Sequence, residues 1–171
     1  MPLAAAAFAA LLAVGAWRSA ARQRVWHDNP TLFHQTVLDA PMSYKAHWAW
    51  GMTLFDAKKF GSAEAELRRA VELYPFDSDL LTDFGNQYRE WHICPPAIPL
   101  YEQALAIAPD RPDSRAGLIA CLLEQARFRE ARSQARIGIA RGFSVPVFRK
   151  LYGIADSVIV ARGLAPRRAT E

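Results

Sequence analysis

Four histidines, two cysteines and scattered carboxylates are the residues of this chain with reactive potential, and their spacing decides what they can do. A catalytic metal needs three convergent protein ligands, usually from His, Cys, Asp or Glu. His27 and His34 are seven positions apart with Asp28 nearby, His47 lies beside Trp48, and His92 follows Trp91. None of these forms a metal triad, and at a helix end His92 reads as a residue favoured by the helix dipole. Cys94 and Cys121 stand 27 positions apart with no CxxC and no histidine at ligand spacing, so neither a zinc site nor a disulfide framework is expected. Glu64 and Glu66 are two apart and do not share a helix face, whereas Glu64 and Arg68 form an ordinary surface pair. General acid and base work needs two carboxyl groups in differently tuned surroundings, and nothing in the spacing supplies them. No phosphate-binding glycine loop, HExxH or GxSxG occurs either. The expectation is a chain that is not an enzyme and needs no metal, nucleotide or other small-molecule cofactor.

Charge narrows the partners. The formal net charge of +4 is concentrated at the ends, in Arg18, Arg22 and Arg24 and in Arg162, Arg167 and Arg168. Residues 27–161 hold 15 Lys and Arg against 16 Asp and Glu. A nucleic-acid binder carries a basic stripe on its folded face, so no nucleic-acid partner is expected. Arg127, Arg129, Arg132 and Arg136 are interleaved with Glu124 and Glu130 and read as a solvated helix face.

The elements that position these side chains announce themselves by a 34-residue period. Gly51 recurs as Gly85, Ala63 as Ala97, Ala70 as Ala104 and Pro75 as Pro109. At the same offset Trp50 answers to Phe84, Leu54 to Tyr88, Leu67 to Tyr101 and Leu73 to Ile107. Small residues recur where two antiparallel helices cross closely, large ones fill the space between, and proline ends the second helix. A third round is weaker: Leu118, Ile119, Leu122, Ala131, Ala135 and Gly138 take the next positions, and Phe143 replaces the closing proline. Fidelity falls near an array end, where packing is demanded from one side only.

This period and pattern resemble the tetratricopeptide repeat (TPR). The resemblance implies an all-α fold, a solenoid of helix-turn-helix repeats over 44–77, 78–111 and a degenerate 112–144. Residues 25–43 form a junction and partial repeat helix, with Asn29 as its N-cap and Pro30 in its first turn. Residues 145–161 read as a capping helix with Val147, Phe148, Leu151, Ile154, Ala155, Val158 and Ile159 on its apolar face, and 162–171 as a flexible tail.

Residues 1–24 are a separate unit. Pro2 to Trp17 carries no charged side chain, and the stretch to Ala21 approaches the ~20 residues that span a bilayer. A transmembrane anchor, a signal-like segment with Val14-Gly15-Ala16 as cleavage site, and a buried helix are the three readings. The anchor is preferred, making this a single-pass membrane protein. The arginines after Trp17 place the repeats in the cytoplasm by the positive-inside rule.

Likeness to TPR proteins also implies where a partner binds, on the concave face lined by the first helix of each repeat. There Lys45, Trp48, Met52 and Phe55 project from repeat one, Asp79, Thr82, Asn86, Arg89 and Glu90 from repeat two, and Asp113, Ala116, Ala120 and Leu123 from repeat three. The site expected for a protein or peptide partner comprises Lys45, Trp48, Met52, Phe55, Asn86, Arg89 and Glu90. Lys45 and Asn86 partly match the carboxylate clamp of chaperone-binding TPR domains, but Ala120 and Glu124 leave repeat three without its cation. The order of apolar helix, arginines, Trp26, Asp28, Leu32-Phe33 and Pro41 before the repeats is similar to the end of membrane glycosyltransferases of the O-mannosyltransferase type. That likeness implies a non-catalytic segment of a split or truncated enzyme, with the repeats outside the cytoplasm.

Overall fold

The computed structural model describes the backbone of residues 2–23 and 28–163, and within these the side chains of 2–7, 9, 21–23 and 145 lie outside the described residues. All described secondary structure is helical: α1 (Pro2–Gln23), α2 (Asn29–Asp39), α3 (Tyr44–Asp56), α4 (Phe60–Leu73), α5 (Ser78–Glu90), α6 (Cys94–Ile107), α7 (Pro112–Glu124), α8 (Phe128–Ala140) and α9 (Val145–Ala161). Two compact units divide it, residues 1–73 and residues 74–171.

In the first unit α2 packs on α3 and α3 on α4. Asp28, rather than the expected Asn29, caps α2: its carboxylate accepts from the Thr31 amide at 2.7 Å, while Asn29 and Pro30 open the helix itself. Ser43 caps α3 in the same way. The core between α3 and α4 is Leu54, Ala63, Leu67 and Ala70. A methyl group on Gly51 would lie 2.8 Å from Leu67 Cγ and 3.3 Å from the Ala63 carbonyl oxygen, which is why the close crossing uses glycine.

Along the described part of α1, Phe8, Leu11, Leu12, Val14 and Trp17 are exposed. Among the described residues no helix is long and apolar enough to cross a membrane. The transmembrane expectation finds no support there, since alanine supplies helix propensity but little hydrophobicity. Arg24 of the expected anchor, Trp26 and His27 of the expected junction, and residues 164–171 of the expected tail lie outside the described residues.

In the second unit α5 packs on α6, α6 on α7, α7 on α8 and α8 on α9. Ala97 and Ala104 are fully buried between Leu80, Leu81, Phe84 and Tyr88, and the Phe84 and Tyr88 rings stack at 4.8 Å. Tyr101 is the largest fully buried side chain, and its ring touches two glycines. A Cβ on Gly85 of α5 would lie 2.9 Å from Tyr101 Cε1, and one on Gly117 of α7 would lie 2.7 Å from the same atom. Gly117 makes a further close approach, to α6 of the preceding repeat, while Ile119, at the position of Gly51 and Gly85, is plain core. Helix α9 closes the unit by inserting Phe148 against Gly138, with Ala155 and Ile159 also buried. Arg132 of α8 binds Asp156 of α9 at 2.7 Å, so this arginine belongs to the cap rather than to a solvated face.

The second unit also corrects the reading of the cysteines. Cys94 of α6 and Cys121 of α7 form a disulfide with their Cα atoms 5.1 Å apart. Sequence spacing gave no sign of it because one residue begins its helix and the other lies near the end of its own. Only the antiparallel packing of α6 and α7 brings those ends together.

One further feature repeats in geometry with little trace in residue type. Lys58, His92 and Ala126 all have left-handed backbones, with φ of 58°, 58° and 56°. They stand 34 apart, each just after the first helix of a repeat, and the next amide bonds back to Leu54, Tyr88 or Leu122 at 2.8–2.9 Å. This is the helix stop that glycine usually provides. His92 is thus a turn residue and not a dipole cap.

Candidate functional site

Helices α5 and α7 of the second unit line a groove of about 330 Å³ with Asn86, Arg89, Asp113, Ala116, Gly117 and Ala120. The i, i+3 and i, i+4 rows of the two helices place these side chains on one face. Alanine and glycine make a shallow floor, since Gly117 has no side chain and turns its backbone to the Tyr101 ring beneath.

Polar groups of the α5 wall are oriented from below. The Tyr101 hydroxyl donates to Asn86 Oδ1 at 2.8 Å. Arg89 hydrogen-bonds the same hydroxyl, and as a permanent donor it leaves the phenolic proton for Asn86. Burial pushes the Tyr101 phenol above its ordinary range, against the lowering effect of Arg89. The hydroxyl stays protonated, Asn86 Oδ1 is occupied, and the Asn86 amide group is left as a donor toward the groove. Asp113, in the first turn of α7, sets an acceptor on the other wall.

Other residues expected on this face serve the fold. Thr82 is buried, donating to the Ser78 carbonyl at 2.6 Å and pairing with the Ser114 hydroxyl at 2.7 Å, which pins α5 to α7. Asp79 pairs with Arg111. Glu90 is exposed and does not line the groove. In the first unit Lys45 is exposed, with its ammonium 5.9 Å from the Tyr44 ring. Trp48, Met52 and Phe55 are half-buried, and Phe55 packs on Phe60 of α4 at 5.8 Å between ring centres. Of the seven expected site residues, the groove brings together Asn86 and Arg89.

Two buried polar clamps were missed. In the first unit His47 faces Glu66 at 2.6 Å through Nδ1 and the Pro41 carbonyl at 2.9 Å through Nε2. In the second, Arg115 donates to Gln134 at 2.5 Å and to the Pro109 carbonyl at 2.9 Å. Burial pushes the Arg115 guanidinium down from its ordinary range, helped by Arg141 and opposed by Asp110. Among the described residues, no group of three or more His, Cys, Asp or Glu could hold a metal ion.

The comparisons assign this architecture. Residues 97–140 match the family described as tetratricopeptide repeat. Solved structures share the fold: MamA, at 19% identity and a TM-score of 0.61 over 64% of this chain and 64% of that one; YrrB, described as a TPR protein with an unusual peptide-binding site, at 14% and 0.64 over 77% and 66%; and the Sgt2 TPR domain from Aspergillus fumigatus, at 16% and 0.59 over 76% and 91%. The chain therefore has the TPR fold, and it spans less than two thirds of the length of the MamA and YrrB chains. No curated protein sequence matches it. The glycosyltransferase likeness has no counterpart among these matches.

Proposed function

We propose that the chain is a protein-interaction module that binds an extended peptide segment in the groove between α5 and α7. The carrying observation is the oriented polar frame: donors from Asn86 and Arg89 on one wall, the Asp113 acceptor on the other, and a floor of Ala116, Gly117 and Ala120. An extended peptide offers both carbonyls and amides along each edge, so the Asn86 and Arg89 donors can take carbonyls and Asp113 an amide, and the small floor lets its backbone approach closely. That YrrB, a TPR protein of the same fold, has a peptide-binding site supports the same reading. Attachment to a membrane through α1, whose Phe8, Leu11, Leu12, Val14 and Trp17 are exposed, is the second part of the proposal. Retention of the full chain in membranes through an alkaline wash, and release of a chain starting at Asp28, are expected for it. Recovery of the full chain in the wash would remove that part.

The groove is tested by selecting peptides from a random display library on the full chain and titrating them against variants. Asn86→Asp keeps the acceptor for Tyr101 and removes the donors facing the ligand, so the fold stands while binding weakens by about 1–3 kcal/mol. Arg89→Ala should cost a similar amount. Arg136→Ala, on the exposed side of α8, should change affinity by less than about 0.5 kcal/mol. Equal affinity for all three variants would move the site away from this groove.

A further inference from the structure

We infer that the Cys94–Cys121 bond is a permanent cross-link made during folding, and that the second unit therefore works outside a reducing compartment, where its partner must also reside. The inference rests on the chemistry around the two sulfurs and not on the groove.

Both cysteines are 0% exposed. A thiol or thiolate reagent cannot reach either sulfur while α6 and α7 are packed, so an oxidant must engage one cysteine before the two helices close, and their closing then brings the second cysteine to it. Its formation is an exchange with a protein disulfide carrier. One cysteine thiolate attacks the carrier disulfide, giving a mixed disulfide and releasing one carrier thiol. The other cysteine thiolate then attacks the mixed-disulfide sulfur of its partner, and the second carrier thiol leaves. The two cysteines together lose two electrons and two protons, and the carrier disulfide is reduced to its dithiol. In a glutathione-reduced compartment this exchange runs backwards on the unfolded chain, whereas oxidising compartments sustain it.

A redox switch needs a reactive thiolate within reach, and the surroundings oppose one. Glu124 Oε2 lies 3.3 Å from Cys94 Sγ. In the dithiol form the Cys94 S–H donates a hydrogen bond to that carboxylate, whose charge disfavours a thiolate beside it. No lysine, arginine or histidine is found within hydrogen-bond reach of either sulfur among the described contacts. The bond is thus built to persist. This placement runs against the cytoplasmic orientation read from Arg18, Arg22 and Arg24.

The two cysteines are the only ones in the chain, so counting adducts is complete. The full chain is taken from its native cells by acid quenching, denatured, and treated with a maleimide carrying a polymer mass tag. Without reductant no adduct is expected, and after reduction two. A majority species with two adducts before reduction would overturn the inference. A second measurement separates cross-link from switch: the folded, oxidised full chain is incubated with millimolar glutathione and sampled over time. The bond should persist for hours, and its reduction within minutes while the helical signal stays unchanged would also overturn the assignment.

Discussion

His47 in the first unit and Arg115 in the second stand 68 positions apart, twice the repeat period, and each ties the loop before its helix to the second helix of its own repeat. Pro41 and Pro109 supply the loop carbonyl, and Glu66 and Gln134 the second-helix acceptor. The intervening repeat has Leu81 and Leu100 at the corresponding positions, with Leu81 fully buried. One location in the repeat thus accepts a histidine pair, an apolar pair or an arginine clamp. What the location demands is filled volume and satisfied acceptors, and residue identity is free within that limit. The two polar solutions still differ. Arg115 carries several donors and meets both acceptors at once, while His47 has a single ring nitrogen for each.

The largest effects should fall in the second unit. Arg115→Ala leaves the Pro109 carbonyl and Gln134 without their donor in a site 5% exposed, and should cost about 2–3 kcal/mol in urea unfolding. A loss below about 0.5 kcal/mol would show that the clamp does not hold α7. Gly117→Ala should cost about 1–3 kcal/mol, since its methyl meets the fully buried Tyr101 ring, which also packs against Gly85. Gly51→Ala should cost less than Gly117→Ala, because its methyl presses on the aliphatic Leu67, which has rotamers to adjust, and not on a rigid aromatic ring; equal costs would refute the contrast between the two glycines.

His47→Leu comes next, at about 1–2 kcal/mol, because the Glu66 side chain is 26% exposed and water can replace the imidazole. Adding Glu66→Leu should recover most of the loss by recreating the pair found in the middle repeat, and an additive double mutant would break the comparison. The smallest effect is a gain. Ala126→Gly relieves a left-handed alanine and should stabilise the second unit by about 1 kcal/mol, visible as a raised Tm.

Much of this fold was legible because periodicity survives substitution. Gly51, Gly85, Ala63, Ala97, Ala70 and Ala104 mark close crossings that tolerate no larger residue, and their recurrence located α3 to α6. The features that escaped depend on contacts between helices distant in sequence. Cys94 and Cys121 carry no local signal, and neither do Thr82 and Ser114, whose bond removes Thr82 from the groove. The left-handed turns were hidden because Lys58, His92 and Ala126 share a conformation without sharing chemistry. Asn86 and Arg89 could be placed on the inner face by counting along α5, but the orientation of the Asn86 amide depends on Tyr101, fifteen residues away.

The Tyr101 ring lies under the groove floor, against both Gly85 of α5 and Gly117 of α7. It acts as a spacer whose thickness sets how far apart the two walls stand. For the proposed peptide, the calibre of the groove is therefore set by a residue below its floor. Exchanging this hidden shim would also loosen Asn86, whose amide the Tyr101 hydroxyl orients, so the width of the groove and the aim of its donors are coupled through one ring.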